Sequence, residues 1–173
     1  MARNKIIIAV GGGGFTHSED FSLDEFIINQ KNLENYNLGF LPTASKDDKY
    51  KTDLFYKRFE NYKIKVSHFN LLESLEGFKK WISKMDIIYI GGGNTKFMLD
   101  FWRENNLLDI FKEAYENGKI LSGVSAGAAC WFEWFLTDSD GLSLKPMKGI
   151  GLLPGSFTPH YSEKERSDNF KLN

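Results

Sequence analysis

Residues 5–10 (Lys-Ile-Ile-Ile-Ala-Val) form a continuous, largely β-branched run that stops at four consecutive glycines, Gly11, Gly12, Gly13 and Gly14. A strand without a polar face belongs inside a parallel sheet covered on both sides, and the glycines permit a tight loop at its end. The theme returns at residues 38–41, 64–69, 86–90 and 119–124, each a short apolar or β-rich run bounded by polar residues or glycine. Between the runs, apolar residues recur at three-to-four spacing: Leu54, Phe55 and Phe59; Phe78, Trp81, Ile82 and Met85; Leu107, Leu108, Phe111 and Tyr115. Each set marks one buried helical face. Ser22-Leu23-Asp24-Glu25 reads as a capping box that opens a further helix reaching about residue 32.

Strands alternating with helices predict an α/β fold, a three-layer sandwich with a mainly parallel sheet, right-handed crossovers and helices on both faces. The length of 173 residues suits a single domain, 1–173, and 15% aromatic residues provide ample core. Lys plus Arg number 22 against 23 Asp plus Glu. That balance leaves no basic surplus for phosphates or an anionic membrane, so neither nucleic acid nor membrane is an expected partner. Cys130 is the only cysteine, which excludes an intramolecular disulfide and a thiolate metal cluster and fits a reducing, cytoplasmic compartment. The first apolar run is too short for a signal-peptide core, and no stretch approaches the roughly 20 apolar residues of a membrane span.

Ligands of such sheets collect beyond the carboxyl ends of the strands. Three loops stand out there: residues 11–17, residues 91–95 and the turn Gly123-Val124-Ser125-Ala126-Gly127. The third matches a G-x-S-x-G nucleophile elbow between a strand and a helix expected over residues 126–135. The alternative is an ordinary serine capping that helix. A serine nucleophile needs an imidazole to take its proton. Of His17, His68 and His160, His68 sits in a strand and reads as structural. His160 is the strongest candidate, because the loop at residues 153–159 holds two prolines that stiffen the backbone before it. A carboxylate should orient the base. Asp138 is the first choice, with Asp140 and Glu163 as alternatives, and each could instead be a solvated loop charge. Gly91-Gly92-Gly93-Asn94 supplies backbone N–H groups for an oxyanion. Both glycine loops fail the nucleotide-binding patterns in detail, since residues 91–96 lack a Gly-Lys-Ser/Thr ending and residues 11–16 lack the third dinucleotide glycine.

Together, Gly91-Gly92-Gly93-Asn94-Thr95, Gly123-Val124-Ser125-Ala126-Gly127-Ala128 and Pro159-His160-Tyr161 resemble peptidase family S51, which includes the aspartyl dipeptidase peptidase E and, more distantly, cyanophycinase. The resemblance runs from the first strand to about Phe170. It implies a flavodoxin-like sandwich similar to class I glutamine amidotransferases, with serine in place of the elbow cysteine. It also implies cofactor-free, metal-free hydrolysis of small peptides with N-terminal aspartate. By motif, Ser125 is the expected nucleophile and His160 the general base, with Gly92, Gly93 and Ala126 as the oxyanion hole. The family's relay aspartate falls at Asp138 or Asp140. Asn94 and Arg166 are expected substrate contacts, Arg166 because a guanidinium matches an acidic side chain. Family members normally continue well past the histidine, so a C-terminally shortened domain is expected. The rival expectations are a catalytically incomplete binding or regulatory protein on the same scaffold, and an esterase or amidase acting on nonpeptide acyl groups.

Overall fold

The computed structural model describes residues 4–16, 21–31, 35–141 and 143–172, and His17 lies outside them. Five strands, β1 (Ile7–Val10), β2 (Asn37–Leu41), β3 (Lys65–His68), β4 (Ile87–Ile90) and β5 (Ile120–Val124), form one sheet. Its order is β1-β5-β4-β2-β3, and every pairing is parallel. The helices are α1 (Ser22–Ile28), α2 (Lys49–Phe59), α3 (Phe78–Lys84), α4 (Thr95–Glu104), α5 (Leu108–Glu116), α6 (Ala126–Ala129) and α7 (Lys164–Leu172). None of the helices among the described residues is long and apolar enough to cross a membrane.

β4 shows why the expected three-layer sandwich forms. All four of its residues are fully buried, and successive side chains enter opposite cores. Ile88 and Ile90 pack with Phe78 and Ile82 of α3, Met98 and Trp102 of α4, and Phe111 of α5. Ile87 and Tyr89 face Ile27 and Ile28 of α1 and Phe55 and Phe59 of α2. A run apolar at every position is thus the direct consequence of helices on both faces. In the second core Phe40 and Phe55 stack with ring centroids 4.6 Å apart, an arrangement that adds about 0.5–1.5 kcal/mol beyond the area it buries.

Three local expectations are corrected. The capping box does not form: Phe21 occupies the N-cap of α1 without a side-chain cap, the Glu25 carboxylate accepts from Tyr62, and the helix stops at Ile28. Asp24 is instead buried, accepting from the Tyr89 hydroxyl at 3.2 Å with the Arg58 guanidinium 3.5 Å away. The helix expected over residues 126–135 ends at Ala129, and the chain continues as β6 (Phe132–Thr137). The segment 153–159 is not a free loop, because Leu153–Phe157 is β8. With β7 (Lys145–Lys148) these strands form a second sheet ordered β7-β6-β8, in which β6 runs antiparallel to β7 and parallel to β8. Pro146 and Pro154 lie in its two outer strands, where a missing N–H leaves no ladder bond unmade. Phe135 of β6 is buried in the core over α4 and α5, tying the small sheet to the large one.

The short helix α6 sits unusually close to the sheet. A Cβ on Gly127 would lie 2.2 Å from the Ile90 carbonyl oxygen, and one on Gly123 would lie 2.3 Å from that of Gly127. Both are clashes with backbone, which cannot swing aside. Gly127→Ala is therefore expected to destabilise the protein by at least about 3 kcal/mol, measured as a fall in the urea midpoint; an unchanged midpoint would remove the packing reason for that glycine.

Candidate active site

The strand order brings three loops to one place. β5 lies between β1 and β4, so the glycine loop after β1, the turn after β5 and the glycine loop after β4 meet at the carboxyl edge of the sheet. Ser125 follows β5 with φ 53° and ψ −108°. An L-residue adopts such a conformation only when its surroundings impose it, at a cost of about 1–3 kcal/mol. Here the Ser125 N–H donates to the Val10 carbonyl at 2.9 Å, and its own carbonyl accepts from Ala128 at 3.1 Å and Ala129 at 2.9 Å. The hydroxyl makes no cap to α6. It lies 3.0 Å from Nε2 of His160, the separation of a nucleophile from its base.

His160 is held as firmly. It also has a positive φ, 55°, and its N–H donates to the Gly11 carbonyl at 3.0 Å. Gly12 backs the ring: a Cβ there would approach Nδ1 to 2.9 Å. The glycine run after β1 thus serves the imidazole, a role its composition announced only as a tight loop. His68 is structural, as expected, with Nδ1 hydrogen-bonded to the Tyr56 hydroxyl at 2.9 Å and burial lowering its pKa.

The expected acids separate. Asp138 is not brought to the imidazole; its carboxylate accepts from Nη2 of Arg166 at 2.9 Å. Asp140, in the turn between β6 and β7, pairs with Lys145 at the start of β7. Among the described residues Glu163 is the carboxylate nearest the imidazole, with Oε1 4.0 Å from His160 Nδ1, and its other oxygen lies 3.3 Å from Nε of Arg166. That spacing is an ion-pair distance and too long for a direct hydrogen bond. The Asn94 side-chain oxygen caps α4 by accepting from Phe97 N–H at 2.7 Å, and its amide donates to the Ser139 carbonyl at 2.8 Å. These bonds fasten the loop after β6 to the start of α4.

These groups line a cleft of about 240 Å³ that includes Ser125, His160, Gly92, Gly93, Asp138 and Arg166. Pockets for drug-sized ligands measure roughly 300–1,000 Å³, so this one suits a small substrate. Larger hollows exist, such as one of about 500 Å³ beside Asn4 and Gly118, but it contains no comparable pairing of a hydroxyl with an imidazole. Among the described residues no acceptor is found for the amides of Gly92, Gly93 or Ala126. A Cβ on Gly92 would lie 3.4 Å from Ser125 Cβ, which places the loop after β4 against Ser125. Arg166 is only 11% exposed, and its Nη1 is buried with no acceptor. Lys51 also enters the cleft, donating from Nζ to the Gly92 carbonyl at 3.1 Å. It comes from α2, 41 positions before its partner, and no sequence motif marks it. Among the described residues no three His, Cys, Asp or Glu side chains converge as a metal site would require.

The chain is similar to known proteins in sequence and in fold. The model of peptidase family S51 matches residues 7–172. The uncharacterized peptidase YgaJ of Bacillus subtilis is 45% identical over 165 residues, covering 94% of this chain and 71% of that protein. Peptidase E of Haemophilus influenzae is 37% identical over 82 residues, 46% of this chain and 38% of its own length. Among solved structures, a peptidase from an acI-B1 Actinobacterium superposes with a TM-score of 0.70 at 19% identity, over 99% of this chain and 73% of that one. A putative peptidase E protein from Listeria monocytogenes gives 0.65 at 20% identity, over 98% and 87%. These two share the fold. The family model spans nearly all of the described residues, including the elbow and the histidine, and the chain belongs to peptidase family S51.

Proposed function

We propose that this chain is a serine peptidase acting on small peptides, chiefly dipeptides with N-terminal aspartate, through an acyl-enzyme on Ser125. The observation that carries this reading is the 3.0 Å contact between Ser125 Oγ and His160 Nε2. In the first step Oγ attacks the peptide carbonyl carbon as Nε2 takes the hydroxyl proton, and the carbonyl oxygen becomes an oxyanion. The unpaired amides of Gly92, Gly93 and Ala126 receive that charge. Nε2 then gives its proton to the departing amine as the C–N bond breaks, leaving an ester on Ser125. A water attacks the ester, His160 takes its proton, and the collapse of the second intermediate returns the proton to Oγ. Glu163 is the carboxylate that best fits the task of stabilising the imidazolium; a modest shift would carry it from 4.0 Å to hydrogen-bonding distance of Nδ1.

Arg166 supplies the preference for an acidic residue. Two of its nitrogens are engaged by Asp138 and Glu163, while the buried Nη1 lacks an acceptor. A buried donor without a partner costs about 1–3 kcal/mol, and a substrate carboxylate would relieve that cost.

Ser125→Ala is expected to lower turnover of an aspartyl dipeptide by more than about 10⁴-fold and to abolish labelling by a fluorophosphonate, mapped by mass spectrometry. Labelling at another residue rejects the reading. Arg166→Met should raise KM for the aspartyl dipeptide at least about tenfold, the loss of one charge-assisted hydrogen bond, and should do so far less for an alanyl dipeptide. Gly12 has an ordinary φ, so Gly12→Ala strains the ring and not the backbone. It is expected to cut kcat by about 10²-fold through misplacement of the imidazole, with an unchanged melting temperature. A second reading, a binding protein that retains the scaffold, is favoured by the absence of a carboxylate hydrogen-bonded to Nδ1 among the described residues. Saturable binding of an aspartyl dipeptide without turnover in the wild-type protein would select it.

A further inference from the structure

We infer that Lys51 is a positioning residue for the oxyanion hole, holding the peptide unit between Gly92 and Gly93 in the orientation that aims the Gly93 N–H into the cleft. The inference rests on the serine-peptidase reading of the site and adds a residue to it. In a trans peptide the carbonyl and the N–H point in opposite directions across one rigid plane, and the described residues contain no cis bond. Whatever fixes the Gly92 carbonyl therefore fixes the Gly93 N–H. The Lys51 ammonium donates to that carbonyl at 3.1 Å, while the N–H at the other end of the plane has no acceptor among the described residues.

The unit needs such an anchor. It is flanked by two glycines, the residues least able to resist a rotation of the peptide plane. On the far side the chain is pinned, since the Asn94 N–H donates to the Ala44 carbonyl at 2.7 Å and a Cβ on Gly93 would meet that same oxygen at 2.2 Å. On the near side Gly91 N–H donates to the Leu41 carbonyl at 3.0 Å. Between these two points, the bond from Lys51 is the only one among the described residues that engages the peptide plane itself. Were the plane to turn over, a carbonyl oxygen would replace the N–H and repel the oxyanion. A cation on the carbonyl also polarises the amide, making its N–H a stronger donor.

The placement of the lysine supports this assignment. Lys51 lies in the first turn of α2, which contains no acidic residue, so its charge opposes the helix dipole. Its neighbour Lys49 offsets the same disadvantage by pairing with Asp53 at 2.7 Å. The partner of Lys51 among the described residues is a neutral carbonyl, that of Gly92, and both residues line the cleft that contains Ser125.

Two measurements test the inference. In steady-state hydrolysis of an aspartyl-leucine dipeptide, Lys51→Met should lower kcat about 10- to 100-fold, somewhat less than deleting an oxyanion donor outright, with KM unchanged within about twofold. Lys51→Arg should restore most of the loss, because the guanidinium can still donate to the carbonyl. In the ligand-free protein, the Gly93 amide resonance should shift or broaden in Lys51→Met and stay near its wild-type position in Lys51→Arg. Lys51→Gln serves in the same two assays if the methionine variant does not fold. A kcat within twofold of wild type, a loss confined to KM, or an unmoved Gly93 resonance overturns the inference; the KM outcome would make Lys51 a substrate-carboxylate contact. Wild-type protein that fails to hydrolyse the peptide and is not labelled at Ser125 fails the serine-peptidase reading instead, and the Gly93 resonance still decides whether Lys51 orients the peptide plane.

Discussion

The backbone of Ser125 is held at φ 53° and ψ −108°, and the rest of the site is arranged around that constraint. A serine in a relaxed turn would direct its hydroxyl along the helix that follows. Here the chain is clamped from both sides, by the Val10 carbonyl of β1 and by the first turn of α6, so the hydroxyl stands out from the sheet edge. The clamp requires α6 to lie almost on the strands, which only glycine at positions 123 and 127 allows. Strain at one residue is thus sustained by the packing of an entire layer, as is common where a reactive group must be presented.

A second constraint comes from strand order. Because β5 lies between β1 and β4, the glycines that hold His160 and those that pack against Ser125 come from opposite neighbours of the strand that carries Ser125. The β1 loop receives the His160 backbone at Gly11 and faces its ring at Gly12, while the β4 loop lays Gly92 against Ser125. Two cations, Lys51 and Arg166, enter the same cleft and take different partners. Arg166 is bracketed by the carboxylates of Asp138 and Glu163, whereas Lys51 donates to backbone. In the proposed chemistry one cation serves recognition and the other serves geometry.

Much of this was legible in the sequence, for physical reasons that also mark where legibility ends. Strands such as β4 announce themselves because burial on both faces demands unbroken apolar runs, whereas the edge strand β3, Lys-Val-Ser-His, shows only as a short β-rich run. Ser125 was readable because an elbow needs small residues at fixed offsets, and His160 because a serine in such an elbow calls for an imidazole and the chain offers three. The second sheet was hidden. Residues 131–136 are apolar or aromatic except for Glu133, and a short run of that kind fits a helix or a strand until its pairing partners are known. Prolines in β7 and β8 argued further against strands, and only their outer positions explain them. The acid could not be chosen from order along the chain, since Asp138 and Glu163 differ by which of them the fold turns toward the imidazole. The capping role of Asn94 was hidden because a helix-capping asparagine and a ligand-binding one look alike in sequence. Lys51 carries no local signature, since its role depends on a contact between α2 and a loop 41 residues away.

The most direct test of the account is a crystal structure of the protein after reaction with a fluorophosphonate. The account predicts a covalent bond from phosphorus to Ser125 Oγ, with the phosphonyl oxygen about 2.7–3.1 Å from the Gly93 and Ala126 amides and His160 beside the adduct. An adduct on Ser125 whose oxygen points to solvent, or no adduct there at all, would contradict it.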